Sequence, residues 1–448
     1  MTAPNPSYLR VVRIYAAMQS TDRPYGVVTE SAGRGAVYEG HGPQAVYAEA
    51  TDETYVVYRG PDADPHATVY DHETGTFADP VRIGENPLSP EDNHGPPSVC
   101  IVDGHLLVFW GSHTDPHQIA RSSEPYDVTA WDDLGGMDEV PPGTYPNPVV
   151  LDGDVYVLYR AGPGARSPEY PSARFGTIVR STDEGQTFED LGPILDATDH
   201  PDEVSIMYVK DLSIHDGRFH MSWFICHDHA EPWTAASQHR TGIYHAIYDP
   251  EDGLCYDMAG NQYEPPISYA DMKGSPIEAL GRTNVNHPKH VVTDEGPKIL
   301  YTHHDPPSLP SNDAEPSRVE WLVSSWEDRR DRWRTERIPG AFATHLFDGG
   351  YPRISEDGAF EAHIITGGTD ADLVDGNRGG VFEVARQTDD GWDRQTIATA
   401  EDAGGPLSRV CTVKDGRDEF ASLFVPASDD PTDFDLPLFA YGTRWGEK

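Results

Sequence analysis

Histidine, tyrosine and arginine recur in this chain at matched distances from Asp-Gly-type turns. His94 lies nine residues before Asp103, and His113 lies nine after Gly104. Tyr145 lies seven before Asp152 and Arg160 seven after Gly153; His287 lies seven before Asp294 and His303 seven after Gly296. In an antiparallel hairpin, residues equally far from the turn sit side by side, so each count brings two such groups together at the open end. A further unit, turning at Asp216, sets Tyr208 opposite Ile225 and next to Cys226, His227 and His229. Histidine, with a reference pKa of about 6.5, gives or takes a proton near neutrality, and tyrosine can join it. Arginine offers a carboxylate a fixed bidentate partner. The chemistry these residues suit is proton transfer on an anionic ligand.

The elements that must position them are short strands. An apolar strand, an Asp-Gly-type turn and a second strand rich in β-branched and aromatic residues recur near residues 45–59, 96–113, 147–160, 208–228, 287–305, 351–368 and 408–428. The turns begin at Asp52, Asp103, Asp152, Asp216, Asp294, Asp357 and Asp415. Their spacing fits one four-stranded blade plus loops per interval. Asp-Gly is a favoured two-residue hairpin turn because both central positions need positive φ. We therefore expect an all-β fold, a seven-bladed β-propeller with four-stranded antiparallel blades, as one domain over residues 1–448. In such a fold every hairpin points the same way, which gathers the open-end side chains on one face around the central axis. The segment Ser181-Thr182-Asp183-Glu184-Gly185-Gln186-Thr187-Phe188 resembles the Asp-box of sialidase-type propellers, S-x-D-x-G-x-T-W, with Phe for Trp. That motif implies a turn between outer strands and no catalytic part for Asp183.

Composition narrows the partners. With 75 acidic against 33 basic residues and a net charge of −42, the chain lacks the basic surface that a general nucleic-acid or anionic-membrane binder needs. Lysine occurs at six positions only, which is the profile of a protein from a high-salt cytoplasm. At molar salt the Debye length falls to about 3 Å, and such a surface repels itself far less. The four cysteines, Cys100, Cys226, Cys255 and Cys411, form no CxxC motif and indicate no disulfide framework. The beginning of the sequence shows neither a signal-peptide pattern nor a twin-arginine pair, so a cytoplasmic location is expected, or a secreted one if a signal has been removed.

Three stretches carry a family resemblance. The first is Asp92-Asn93-His94-Gly95-Pro96-Pro97-Ser98, continued by Val102-Asp103-Gly104 and Phe109-Trp110-Gly111-Ser112-His113. The second runs from Tyr145-Pro146-Asn147-Pro148 through Leu158-Tyr159-Arg160 to the Asp-box, and the third from Tyr208-Val209-Lys210-Asp211-Leu212 through Asp216-Gly217-Arg218 to Trp223. In their order and spacing they resemble the BNR-4 propellers, which include the ulvan lyases and related rhamnose–glucuronate-cleaving enzymes. The resemblance implies β-elimination at a uronic acid. That reaction needs a neutralised carboxylate, a base for the weakly acidic C5 proton and an acid for the departing O4 oxygen. By motif match, His94 and His113 become the proton-transfer pair, Tyr159 and Tyr208 the tyrosine candidates, and Arg160 or Arg174 the neutraliser. Lys210, Asn93, His287 and His303 join the arginines as substrate-binding residues. No cofactor is required; the partner is an anionic oligo- or polysaccharide, and the expected state is a monomer.

Other readings compete with this one. A propeller glycosidase of sialidase or rhamnosidase type would call for paired carboxylates, and Asp202 and Glu203 are the only ones near a site loop. A non-catalytic carbohydrate-binding propeller is the third reading, since fold does not fix function. Cys226, His227, His229, His245 and Cys255 are of zinc-ligand type within 30 residues, so a structural zinc, or a calcium elsewhere, is a possible accessory.

Overall fold

The computed structural model describes residues 24–33, 35–38, 40–92, 94–162, 174–199, 205–228, 238–272, 277, 284–304, 319–343, 349–367, 380–413, 415–426 and 435–446. These form seven antiparallel sheets, the blades of a seven-bladed β-propeller. Five blades have four strands each, and the first and fourth carry one further short strand.

In each blade the two inner strands are one of the recurrent hairpins. They are Ala45–Ala48 with Glu53–Arg59, Ser98–Val102 with His105–Trp110, Gly143–Leu151 with Asp154–Ala161, and Ser205–His215 with Arg218–Asp228. The remaining three are Asn284–Thr293 with Gly296–His304, Gly350–Ile354 with Phe360–Thr366, and Leu407–Thr412 with Ser422–Pro426. Three turns are the tight kind that demands two positive φ angles: Asp103 and Gly104 (49° and 84°), Asp152 and Gly153 (53° and 87°), Asp216 and Gly217 (50° and 74°). At Asp357-Gly358 and Asp415-Gly416 the loops are longer, because the strands last pair at Ile354 with Phe360 and at Thr412 with Ser422.

The ring closes through an exchange along the chain. Tyr25–Ala32, before the first blade, pairs antiparallel with Leu436–Tyr441 and becomes the outer strand of the seventh blade. Joining start to end in one sheet covers an edge strand that would otherwise be open.

Packing follows from strand alternation. Both faces of each blade meet a neighbouring blade, so the inner strands are apolar on both sides. The buried hydrophobic side chains of the described residues accordingly fall into seven clusters, one at each blade interface. One, between the second and third blades, holds Leu107, Phe109, Val157 and Tyr159; another, between the fourth and fifth, holds Phe224, Cys226, Ile299 and Tyr301. All four cysteines are buried, and none is in a disulfide.

The Asp-box sits between the two outer strands of the third blade, Gly176–Ser181 and Glu189–Leu195. The Ser181 and Thr187 hydroxyls donate to the two Asp183 oxygens at 2.8 and 2.7 Å, while Ser181 Oγ accepts from the Gly185 N–H at 2.9 Å. Phe188, in the Trp position, is buried edge-on against Phe109.

Candidate active site

The inner strands all present their open ends to one face, and three β-bulges there re-aim side chains toward the axis. The register slips between Thr144 and Asn147, between Val209 and Asp211, and between Asn286 and Lys289. Tyr145 and His287 occupy two of these bulges with φ of 66° and 53°, each just before a proline. A bulky residue at positive φ is costly, on the order of 1–3 kcal/mol, and such strain collects at functional sites.

His94 and His113 stack with ring centroids 3.5 Å apart and planes 14° from parallel. One carboxylate holds both: His94 Nδ1 lies 2.6 Å from Asp92 Oδ1 and His113 Nδ1 lies 2.7 Å from Asp92 Oδ2. The side chains are 25% and 35% exposed, so the pair opens to solvent from a partly buried seat. Burial opposes the Asp92 charge, but the hydrogen bonds from His113 and His94 outweigh it and keep the carboxyl well below the usual range. Burial, together with His113 and Arg160, pushes His94 down to about 4 against the pull of Asp92. An ionised Asp92 accepts Nδ1–H from each ring, which leaves each Nε2 with its lone pair free for a proton.

Aromatic rings and cations complete the surroundings. Tyr145 lies 5.6 Å from the His94 ring and stacks parallel to Tyr38 at 6.1 Å. The Arg160 guanidinium carbon lies over both the Tyr145 and Tyr208 rings, 4.6 and 4.7 Å from their centroids. Lys210 Nζ is 4.6 Å from the Tyr145 centroid, and Arg409 covers Tyr38 at 4.4 Å. Tyr145 is fully buried and its hydroxyl is pushed well above the usual tyrosine range by that burial, so it holds its proton.

The bulges correct several sequence-based pairings. Arg160 pairs with Thr144 and reaches Tyr145 through its side chain; Tyr208 faces Phe224, with Ile225 opposite Met207; His303 pairs with Val285, since His287 stands in its bulge. Each bulge adds one residue to one strand, which a count from the turn cannot see. His287 and His303 are both buried at the head of the fifth blade, where Asn286 Nδ2 donates to His287 Nε2 at 3.0 Å.

Tyr159 requires a larger correction. It follows strand alternation away from the axis into the core between the second and third blades, is 0% exposed, and donates its hydroxyl to the Pro141 carbonyl at 2.7 Å. The tyrosine beside His94 is Tyr145, which the sequence reading had placed at an open end with Arg160 without naming it among the tyrosine candidates. Arg174 is half-buried just before the third strand of the third blade, with its carbonyl accepting from the Met207 N–H. Asn93, Arg166, Asp202, Glu203 and His229 lie outside the described residues, as does the His227 side chain. Of the residues the sequence offered for a zinc, the described ones, Cys226, His245 and Cys255, do not converge. Cys226 and Cys255 belong to different hydrophobic clusters, and His245 bonds His220 at 3.2 Å.

Two axial residues escaped the sequence reading. His41, beside Tyr38 and Tyr145, and Tyr351, whose hydroxyl donates to the His41 carbonyl at 3.2 Å, both stand at the centre. Their signal was local: His41-Gly42-Pro43 repeats His94-Gly95-Pro96, and Tyr351-Pro352 repeats Tyr145-Pro146 and His287-Pro288. A ring followed by proline marks the head of an innermost strand.

The model of the BNR repeat-containing family matches residues 47–339. An ulvan lyase of Pseudoalteromonas sp. (strain PLSV) is 32% identical over 158 residues, 30% of this chain and 30% of that protein. The ulvan lyase of Nonlabens ulvanivorans is 24% identical over 259 residues, 50% of this chain and 52% of that protein. The matched part thus spans about a third to a half of the curated relatives. The solved structure of an ulvan lyase bound to -[GlcA(1-4)Rha3S]- superposes with a TM-score of 0.74 at 17% identity, covering 93% of this chain and 96% of that one.

Proposed function

The chain belongs to the BNR repeat-containing family, and on that footing we propose that it is a polysaccharide lyase that cleaves a uronate-containing glycan, of the ulvan type its relatives are named for, by β-elimination. The observation that carries this reading is the Asp92-bridged pair of His94 and His113 opening beside Tyr145 and Arg160. A base, an acid and a cation for a carboxylate stand within one cluster.

In the proposed step, the uronate carboxylate lies against Arg160, whose fixed charge stabilises the enolate-like anion that forms when C5 is deprotonated. His94 Nε2, neutral at ordinary pH and steered by Asp92, takes the C5 proton. The electron pair of that C–H bond forms the C4–C5 double bond as the C4–O4 bond breaks, and the Tyr145 hydroxyl protonates the departing O4. One proton is taken and one given, so the reaction itself consumes no water. His113, stacked on His94, holds its ring plane and shares the Asp92 carboxylate.

Incubation with rhamnose–glucuronate oligosaccharides tests this. We expect new ultraviolet absorbance from a conjugated alkene, and product masses that sum to the substrate mass. Products heavier by one water in total, with no alkene, would mean hydrolysis and overturn the reading.

A further inference from the structure

The proposed acid–base groups come from two blades: His94 and His113 flank the inner hairpin of the second, and Tyr145 and Arg160 lie on the inner strands of the third. Proton transfer needs its partners in tight alignment, and a shift of about 1 Å can cost about 10²-fold in rate. The head of one blade must therefore be fixed against the head of the other.

The segment after Trp110 crosses that boundary. Ser112 and Thr114, the two neighbours of His113, donate to the same acceptor on the third blade, the Gly143 carbonyl: Ser112 Oγ at 2.6 Å and the Thr114 N–H at 3.0 Å. The Gly143 N–H returns a bond to the Asp115 carbonyl at 3.2 Å. Gly143 opens the strand whose bulge presents Tyr145 two residues on, and it pairs with Ala161, next to Arg160. A Cβ on Gly143 would lie 2.2 Å from the buried Tyr159 ring and 2.7 Å from the Arg160 carbonyl, so this close approach requires glycine. Thr114 holds φ at 100°, which a β-branched residue keeps only where its surroundings impose it.

His117 orients the hydroxyl. Its Nδ1 lies 2.6 Å from Ser112 Oγ, and both residues are 1% exposed. The single hydroxyl proton of Ser112 goes to the Gly143 carbonyl, so Ser112 accepts from His117, whose proton must sit on Nδ1. Nε2 then carries a lone pair, and among the described residues it meets no hydrogen-bond partner. Burial pushes His117 down to about 3, so the ring stays neutral at ordinary pH. The elimination as proposed uses neither Ser112 nor His117.

We propose that Ser112 and His117 are positioning residues, a clasp through the Gly143 carbonyl that sets His113, and with it Asp92 and His94, against Tyr145 and Arg160; the reaction they serve rests on the lyase reading, whereas the bonds do not.

Nitrogen NMR of isotopically labelled histidine side chains tests the bonds without any substrate. The resonances lost in His117→Phe should be those of a neutral Nδ1–H tautomer, and an Nε2–H tautomer overturns the clasp. Kinetics test the consequence. Ser112→Ala and His117→Phe should lower kcat of the folded enzyme by about tenfold or more with KM within about twofold of wild type, because the binding groups stay and their alignment is lost. His117→Asn, whose amide N–H can stand in for Nδ1–H, should recover most of that loss, which mere filling of space would not do. If Ser112→Ala does not fold, the two His117 variants carry the comparison. Wild-type kcat in His117→Phe, or an equal loss in His117→Asn, overturns the proposal. Products of hydrolysis would instead sink the lyase reading, and the same kcat ratios would then decide the clasp on that reaction.

Discussion

His94 and His113 lie face to face, 3.5 Å between ring centroids, each hydrogen-bonded through Nδ1 to a different oxygen of Asp92. The turn between them, Asp103-Gly104, is far along the hairpin, so the pair owes its contact to the strand register and its orientation to Asp92. Replacing His94 by alanine should cut turnover by about 10²–10⁴-fold, the usual contribution of a general acid or base, and His113→Ala, which removes the ring that holds His94, should lower kcat less. Both side chains face solvent, so melting temperatures should stay within a few degrees of wild type. A His94→Ala variant that keeps more than about a tenth of wild-type kcat would remove His94 from the proton transfer.

Asp92→Asn separates orientation from charge. An amide cannot accept from both rings at once through two carboxylate oxygens, so one histidine loses its tautomer control. We expect kcat to fall while KM changes little, as for a residue acting through another group. A pH–rate profile identical to wild type would mean that Asp92 does no more than pack.

The pH dependence has a definite sign. Burial holds His94 near 4, His220 near 4 and His117 near 3, all below an ordinary histidine. The unfolded chain therefore binds more protons than the folded one as pH drops below about 6.5, and stability falls progressively from there toward pH 4. Melting curves at constant ionic strength should show this slope. For the same reason kcat/KM should lose activity on the acid side with a midpoint near 4 rather than near 6.5.

Tyr145→Phe and Tyr159→Phe should divide cleanly. The first removes the proposed acid beside His94 and should lower kcat by about 10²–10⁴-fold. The second removes the bond to the Pro141 carbonyl and should cost about 0.5–1.5 kcal/mol of stability, with kcat preserved. The opposite pattern would restore Tyr159 to the site.

Arg160→Lys is a sharper probe than alanine. The guanidinium carbon lies over both the Tyr145 and Tyr208 rings, and an ammonium reproduces neither a planar contact with the rings nor a bidentate grip on a carboxylate. We expect the loss to fall on kcat, as for a group that stabilises the transition state more than the bound substrate. Arg174→Ala should change kcat less; if it is the more damaging variant, Arg174 is the neutraliser.

The seven hairpins and the propeller they build were legible in the sequence because strand alternation and Asp-Gly turns act over a few residues. So was the meeting of His94 with His113, since no bulge falls between them and their turn. The tertiary structure alone decided the rest. Bulges at Tyr145, Lys210 and His287 shifted their strands by one position, which a count from the turn cannot see, and Tyr145 stands beside His94 from within one of them. The closing strand Tyr25–Ala32 and the axial cluster of His41, Lys210, Lys289 and Tyr351 join residues hundreds of positions apart. Local propensity carries no record of such contacts; they exist because seven blades must pack around a single axis.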